Sequence, residues 1–202
     1  MERREKLKIL AASDTHGDSE LMERISKKAI KENVDLIVLC GDILGFYEKN
    51  NIIKPLKKSG KPILIIPGNH ETTEITNFIS ELYNIKNIHA NSAIYKEIAF
   101  FGAGGAEPSP NFSDSELFSA LEKAHSKIKD SKNKVMITHM HPKDSKSEFS
   151  GFEGSSAILK AIKKFQPDIL LHGHIHEASG LEEMIGKTRV INVSRIGRVI
   201  EI

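Results

Sequence analysis

The chain has 202 residues, of which 39% are hydrophobic and 28% charged, with a formal net charge of +2. That is enough for one domain with its own core, and too little charge to imply a nucleic-acid partner by itself. The lone cysteine, Cys40, excludes an internal disulfide, and no apolar run approaches the length of a membrane-spanning helix.

A single domain over residues 1–202 is expected, with residues 1–6 as a disordered tail. That tail lacks the apolar stretch of a signal peptide, so the cytoplasm is the expected compartment. Lys8-Ile9-Leu10-Ala11-Ala12 reads as a buried strand. Leu21, Met22, Ile25, Ala29 and Ile30 share one face of a helix over residues 19–33. Residues 36–40 and 63–66 read as the next strands, so this part of the chain predicts parallel strand–helix–strand units. Phe78, Ile79 and Leu82 predict a short helix before Tyr83. After Ile85 the pattern changes to short strands near residues 94–95 and 98–101, which predicts mixed sheets. Ser113-Asp114-Ser115-Glu116 has capping-box spacing ahead of a helix lined by Leu117, Phe118, Leu121, Ala124, His125 and Ile128. Strands over residues 134–137 and 169–171 bracket a helix carrying Ala157, Ile158, Ala161, Ile162 and Phe165, stopped by Pro167. Residues 188–193 and 198–202 flank Ser194-Arg195-Ile196-Gly197 like a hairpin. Two connections, residues 102–110 and 142–154, either shape a site or simply link elements; the second carries Phe149 and Phe152.

Five short motifs follow these apolar runs: Asp14-Thr15-His16, Gly41-Asp42, Gly68-Asn69-His70, His139 and Gly173-His174-Ile175-His176. In open α/β sheets ligands bind outside the carboxyl ends of strands, which is where all five are expected. Two carboxylates, an amide and four imidazoles suit Mn, Fe, Zn or Ni better than Ca or Mg. Two such ions held close together clamp the attacking and leaving oxygens of a phosphoryl displacement. Asp42 is the natural bridging residue, since a carboxylate has two oxygens. His70 directly follows Asn69, and neighbours do not easily reach one metal. It is better placed as a general acid for the leaving oxygen, or as a contact to the phosphate. Glu71 either orients His70 or serves as a charge at a helix start.

The ordered set Asp14-x-His16, Gly41-Asp42, Gly68-Asn69-His70, His139 and Gly173-His174-x-His176 resembles the calcineurin-like metallophosphoesterase superfamily over residues 7–192. Residues 101–108, 154–155 and 173–180 are most similar to its small prokaryotic Icc-related phosphoesterases. The resemblance implies an α/β fold, a four-layer α/β/β/α sandwich of two mixed β-sheets with the metal site at the C-terminal strand ends. It implies that Asp14, His16, Asp42 and His176 bind one metal, and that Asp42, Asn69, His139 and His174 bind the other. His70 is then the catalytic histidine. The implied activity is hydrolysis of phosphodiesters or small phosphomonoesters through two divalent ions, manganese among them, and a metal-bridging hydroxide.

This chain departs from the pattern in two places. It has His139-Met140-His141-Pro142 where many relatives have His-x-Pro-Pro, so His139 and His141 compete for one ligand position; His139, nearer the strand end, is preferred. It also has Asn192-Val193-Ser194 where relatives often have Asn-Pro-Gly. His141, Glu71 and Glu177 are candidates for the pocket wall or for support of the ligands. His172 reads as structural, and His89 and His125 as ordinary core or surface residues. Gly102-Ala103-Gly104-Gly105 lacks the third glycine of a dinucleotide loop, since Glu107 takes its place. Two rival readings remain: a non-catalytic scaffold on the same fold, which would be expected to have lost ligands, and a nuclease, which would need a basic track beside the metals. The expected partner is a small phosphorylated substrate.

Overall fold

The computed structural model describes residues 6–45, 52–106 and 113–202. Residues 1–5 of the expected tail, residues 46–51, and residues 107–112, which include the end of the glycine-rich connection, lie outside the described residues.

The first half alternates strands and helices: β1 (Lys8–Ala12), α1 (Ser19–Lys31), β2 (Leu36–Leu39), α2 (Lys54–Lys57), β3 (Ile63–Ile65), α3 (Thr73–Tyr83) and β4 (Lys86–Asn87). Then come β5 (Asn91–Tyr95), β6 (Ile98–Ala103), α4 (Asp114–Ser126), β7 (Asn133–Thr138), α5 (Ser156–Phe165), β8 (Ile169–His172), β9 (Glu182–Ile185), β10 (Thr188–Asn192) and β11 (Arg198–Glu201). The strands form two sheets, ordered β11-β1-β2-β3-β4 and β5-β6-β7-β8-β10-β9. Each is parallel inside and carries antiparallel strands at its edges: β11 on β1, β5 on β6 and β9 on β10.

The layering follows from side-chain alternation. Successive residues of a strand face opposite ways, and here both ways are covered, so the inner strands are apolar throughout. In β1, Ile9 and Ala11 enter the core between the sheets, whereas Leu10 and Ala12 meet α1 and its neighbours. In β7, Val135 and Ile137 join the same inter-sheet core, whereas Met136 packs under α4 and α5. Three cores therefore separate four layers, helix–sheet–sheet–helix, as the family resemblance implies. Among the described residues no helix is long and apolar enough to cross a membrane.

Two expectations are corrected. Residues 188–193 and 198–202 do not form a hairpin: β10 lies in the second sheet, and β11 crosses to the first to pair with β1. β10 instead forms a hairpin with β9, with Ile185 opposite Thr188 and Gly186 (φ +61°) in the turn. Acidic Glu182 and Glu183 give β9 no apolar pattern to read. Ile30 is 53% exposed, one helical step off the buried stripe of α1. The helix expected from Phe78, Ile79 and Leu82 forms as α3, with Ile79 buried and Phe78 and Leu82 facing solvent.

Candidate metal centre

The carboxyl ends of β1, β2, β3, β7 and β8 deliver Asp14, Asp42, Asn69, His139 and His174 to the seam between the sheets. Backbone bonds stitch that seam: Asp14 N–H donates to Gly41 O (3.0 Å), His16 N–H to Asp42 O (3.0 Å) and Gly173 N–H to His139 O (2.9 Å). Four of the candidate ligands have left-handed backbone: Asp14 (φ +58°), His16 (+44°), Asp42 (+53°) and His174 (+69°). Such a conformation costs a non-glycine residue about 1–2 kcal/mol, and it persists where the surroundings enforce it, characteristically at functional sites. Gly68 is required for close approach, because a Cβ there would collide with the Asp42 carboxylate.

Asp42 lies at the centre. Its Oδ2 is 3.3 Å from His139 Nε2, 3.8 Å from His70 Nε2 and 3.9 Å from His16 Nε2. Its Oδ1 accepts the His70 backbone N–H at 2.9 Å. Asp14 Oδ1 is 3.5 Å from His176 Nε2 and 4.0 Å from His139 Nε2. His16 Nε2 and His176 Nε2 face each other at 3.1 Å, and Asn69 Oδ1 is 3.0 Å from His139 Nε2. The His174 ring stands 5.2 Å from that of His139, centroid to centroid, and its backbone N–H donates to Asp14 at 3.1 Å. All seven candidate ligands thus meet in one cluster.

The cluster fits divalent metal. Asp14 and Asp42 are 0% and 2% exposed, and buried charge needs a counter-charge. Their partners are imidazoles, hydroxyls and backbone amides. Three triads built on them, Asp14–His16–His176, Asp14–Asp42–His139 and His16–Asp42–His70, each keep their ligand atoms within 4.8 Å of one another. Burial works against the charged forms of both aspartates, but His176, His139, Ser194 and Ser13 together on Asp14, and His139 with the His70 backbone N–H on Asp42, outweigh it and hold both pKa values low. Burial also opposes a charge on His139, yet Asp42 and Asp14 lift its pKa to about 9. Burial, with His139 beside it, pushes His174 down to about 4. The site therefore mixes anionic oxygens with one imidazole already neutral, His174, and one, His139, that must shed a proton before it can bind metal.

The structure places His139 and His141 differently. His139 donates Nδ1–H to Cys40 O at 2.8 Å, which turns Nε2 into the cluster, the usual arrangement for an imidazole that is to bind metal. His141 points elsewhere, with Nε2 3.2 Å from Phe152 O. Glu71 lies beneath the site: its Oε1 accepts Ile43 N–H (3.2 Å) and Gly68 N–H (3.3 Å), tying the loops after β2 and β3 together. Burial, then the nearby Asp42 charge, raises Glu71 to about 7. Glu177 is exposed on a short 3-10 turn and bears on His176 through its charge. His172 is buried with Nδ1 3.1 Å from Gly173 O, and His125 stacks on Phe165 at 4.4 Å. His70 opens onto a cavity of about 350 Å³ also lined by Asn69, Thr72, Glu74, His89 and Glu116.

Two supporting residues escaped the sequence reading. Ser194 Oγ donates to Asp14 Oδ2 at 2.8 Å. Asn192 Nδ2 donates to Ile175 O at 2.9 Å and its Oδ1 accepts Ser194 N–H at 2.9 Å, which braces the loop carrying His174 and His176. Their only signal in the sequence was the departure from Asn-Pro-Gly.

A four-layer sandwich with aspartate, asparagine and histidine gathered at the carboxyl edges of both sheets is the layout of a metal-dependent phosphoesterase fold. The profile of the calcineurin-like phosphoesterase family matches residues 7–178, and the chain belongs to that family. No curated protein sequence matches it significantly. Among solved structures it is similar to TT1561 of Thermus thermophilus (21% identity, 93% of this chain and 89% of that one, TM-score 0.74). It is also similar to a dimetal phosphatase from Danio rerio (12% identity, 93% and 87%, TM-score 0.63) and to an archaeal phosphodiesterase (17% identity, 96% and 99%, TM-score 0.55). At such identities these likenesses show the fold alone.

Proposed function

We propose that the protein hydrolyses phosphodiesters or small phosphomonoesters with two divalent ions, manganese among the candidates, and that it acts in the cytoplasm. The observation that carries this reading is the central place of Asp42 among His16, His70 and His139. Asp14, His16, Asp42 and His176 would hold one ion, and Asp42, Asn69, His139 and His174 the other. When bound, the ions supply Lewis-acid stabilisation of phosphoryl charge and acidify the attacking water.

The chain's own residues orient and protonate. Asp42 Oδ1 anchors the backbone of His70, whose side chain lines the cavity. In the reaction water adds to phosphorus, the bond to the leaving oxygen breaks, and His70 gives that oxygen a proton. The described residues lining the cavity include Glu74 and Glu116 and no lysine or arginine. That charge favours a small ester over a long polyanion, which argues against the nuclease reading. The filled ligand set and His70 argue against a scaffold. The lone cysteine, buried Cys40, is in keeping with the cytoplasm.

The test is hydrolysis of p-nitrophenyl phosphate and bis(p-nitrophenyl) phosphate with added Mn, Ni, Zn or Mg. Turnover is expected, and His70→Ala should lower kcat about 10²–10⁴-fold while keeping the wild-type metal content. Metal loss in that variant would remove His70 from its assigned role.

A further inference from the structure

The connection after β7 is shaped in a way that the metal centre itself does not explain. Phe152 is 62% exposed, yet its ring stands 6.5 Å from the His174 ring at 70°. Single exposed apolar residues are common, but this one is held by a buried residue. His141 is fully buried, donates Nε2–H to Phe152 O at 3.2 Å, and leaves Nδ1 without a partner among the described residues. A buried polar atom left unpaired carries a cost, so an apolar residue would sit at position 141 with less penalty were packing the only demand.

The rest of the segment is fixed to the same end. Ser155 N–H donates to His141 O (2.9 Å) and Lys143 N–H to Ser155 O (3.0 Å), closing the base of the loop. Glu148 Oε1 accepts Gly154 N–H at 2.8 Å and Asp144 N–H at 3.2 Å. Phe152 is thus displayed from a pinned backbone beside a candidate metal ligand.

We propose that His141 is a positioning residue and Phe152 a specificity-determining one, together presenting an aromatic platform at the rim of the metal centre for an aryl or nucleobase ring of the ester. The proposal rests on the phosphoesterase reading and adds the class of organic group. A flat ring covers the exposed phenyl face, gaining apolar burial and the offset or edge contacts that aromatic pairs prefer. A short alkyl ester gains neither.

The test uses the metal-loaded full chain and two non-hydrolysable probes, phenylphosphonate and methylphosphonate, as inhibitors of bis(p-nitrophenyl) phosphate turnover. Phenylphosphonate should inhibit about tenfold more tightly, which is about 1.4 kcal/mol. Phe152→Ala should erase the difference at unchanged metal content, and Phe152→Tyr should keep it. His141→Ala should reduce it, with rescue by His141→Gln, whose amide donor reaches near the Nε2 position. An unchanged probe ratio in Phe152→Ala, with turnover intact, would overturn the platform and leave the phosphoesterase reading standing. Absence of turnover in the wild type under every metal would overturn both.

Discussion

At Asp14, Asp42 and His139, protons and the proposed metal compete for the same atoms. Asp42 and Asp14 stabilise a proton on His139 strongly enough to lift its pKa to about 9 against its burial. A metal at His139 Nε2 must displace that proton. Affinity should therefore begin to fall as pH drops below about 9, well before the roughly 6.5 of an ordinary histidine. Calorimetric titration with manganese between pH 6 and pH 9.5 checks this: affinity should climb across the whole range, with proton release, and a flat profile would contradict the placement of His139. The chemistry of these residues was legible in the sequence, because residue type and order name the donors. Their supports were not. Ser194 lies 180 residues from Asp14 and reaches it only because two sheets meet.

The elements explain why some of the chain could be read and some could not. Inner parallel strands are buried on both faces, so β1, β2, β3, β7 and β8 announce themselves as continuous apolar runs. Edge strands carry no such signature: β9 reads Glu-Glu-Met-Ile, and its absence from the pattern made β10 and β11 look like a hairpin. The crossing from β10 to β11 matters for the site, because it carries Ser194 past Asp14. The isolated bridge between Ser13 and Ser194 holds it there. Ser194→Ala should leave the fold intact and weaken metal binding about 10–100-fold, the scale of a lost supporting hydrogen bond. Metal retained through dialysis, measured by elemental analysis, decides the point; wild-type retention would make the contact incidental.

At the scale of the whole molecule, the inter-sheet core and the metal centre are continuous, so occupancy and stability are coupled. A ligand that binds only the folded chain stabilises it by about 2.7 kcal/mol at a hundredfold excess over Kd. Without metal, the raised pKa of His139 supplies stability that is fully present below roughly 6.5 and is lost as pH rises through about 9. The depressed pKa values of Asp14 and Asp42 act oppositely, losing their contribution only as pH falls through the acid range. In chelator the Tm should accordingly drop between pH 6.5 and pH 9.5, and added manganese should raise it most at the alkaline end. A metal response that was largest at pH 6 would contradict that coupling.

In the proposed reading, two ions sharing Asp42 carry the activity. Its most direct test is turnover of bis(p-nitrophenyl) phosphate by metal-stripped protein, followed as manganese is added per chain. The rate should rise until two equivalents are bound, and Asp42→Asn should bind neither ion tightly and stay inactive. Saturation of the rate at one equivalent, or full activity in Asp42→Asn, would contradict it.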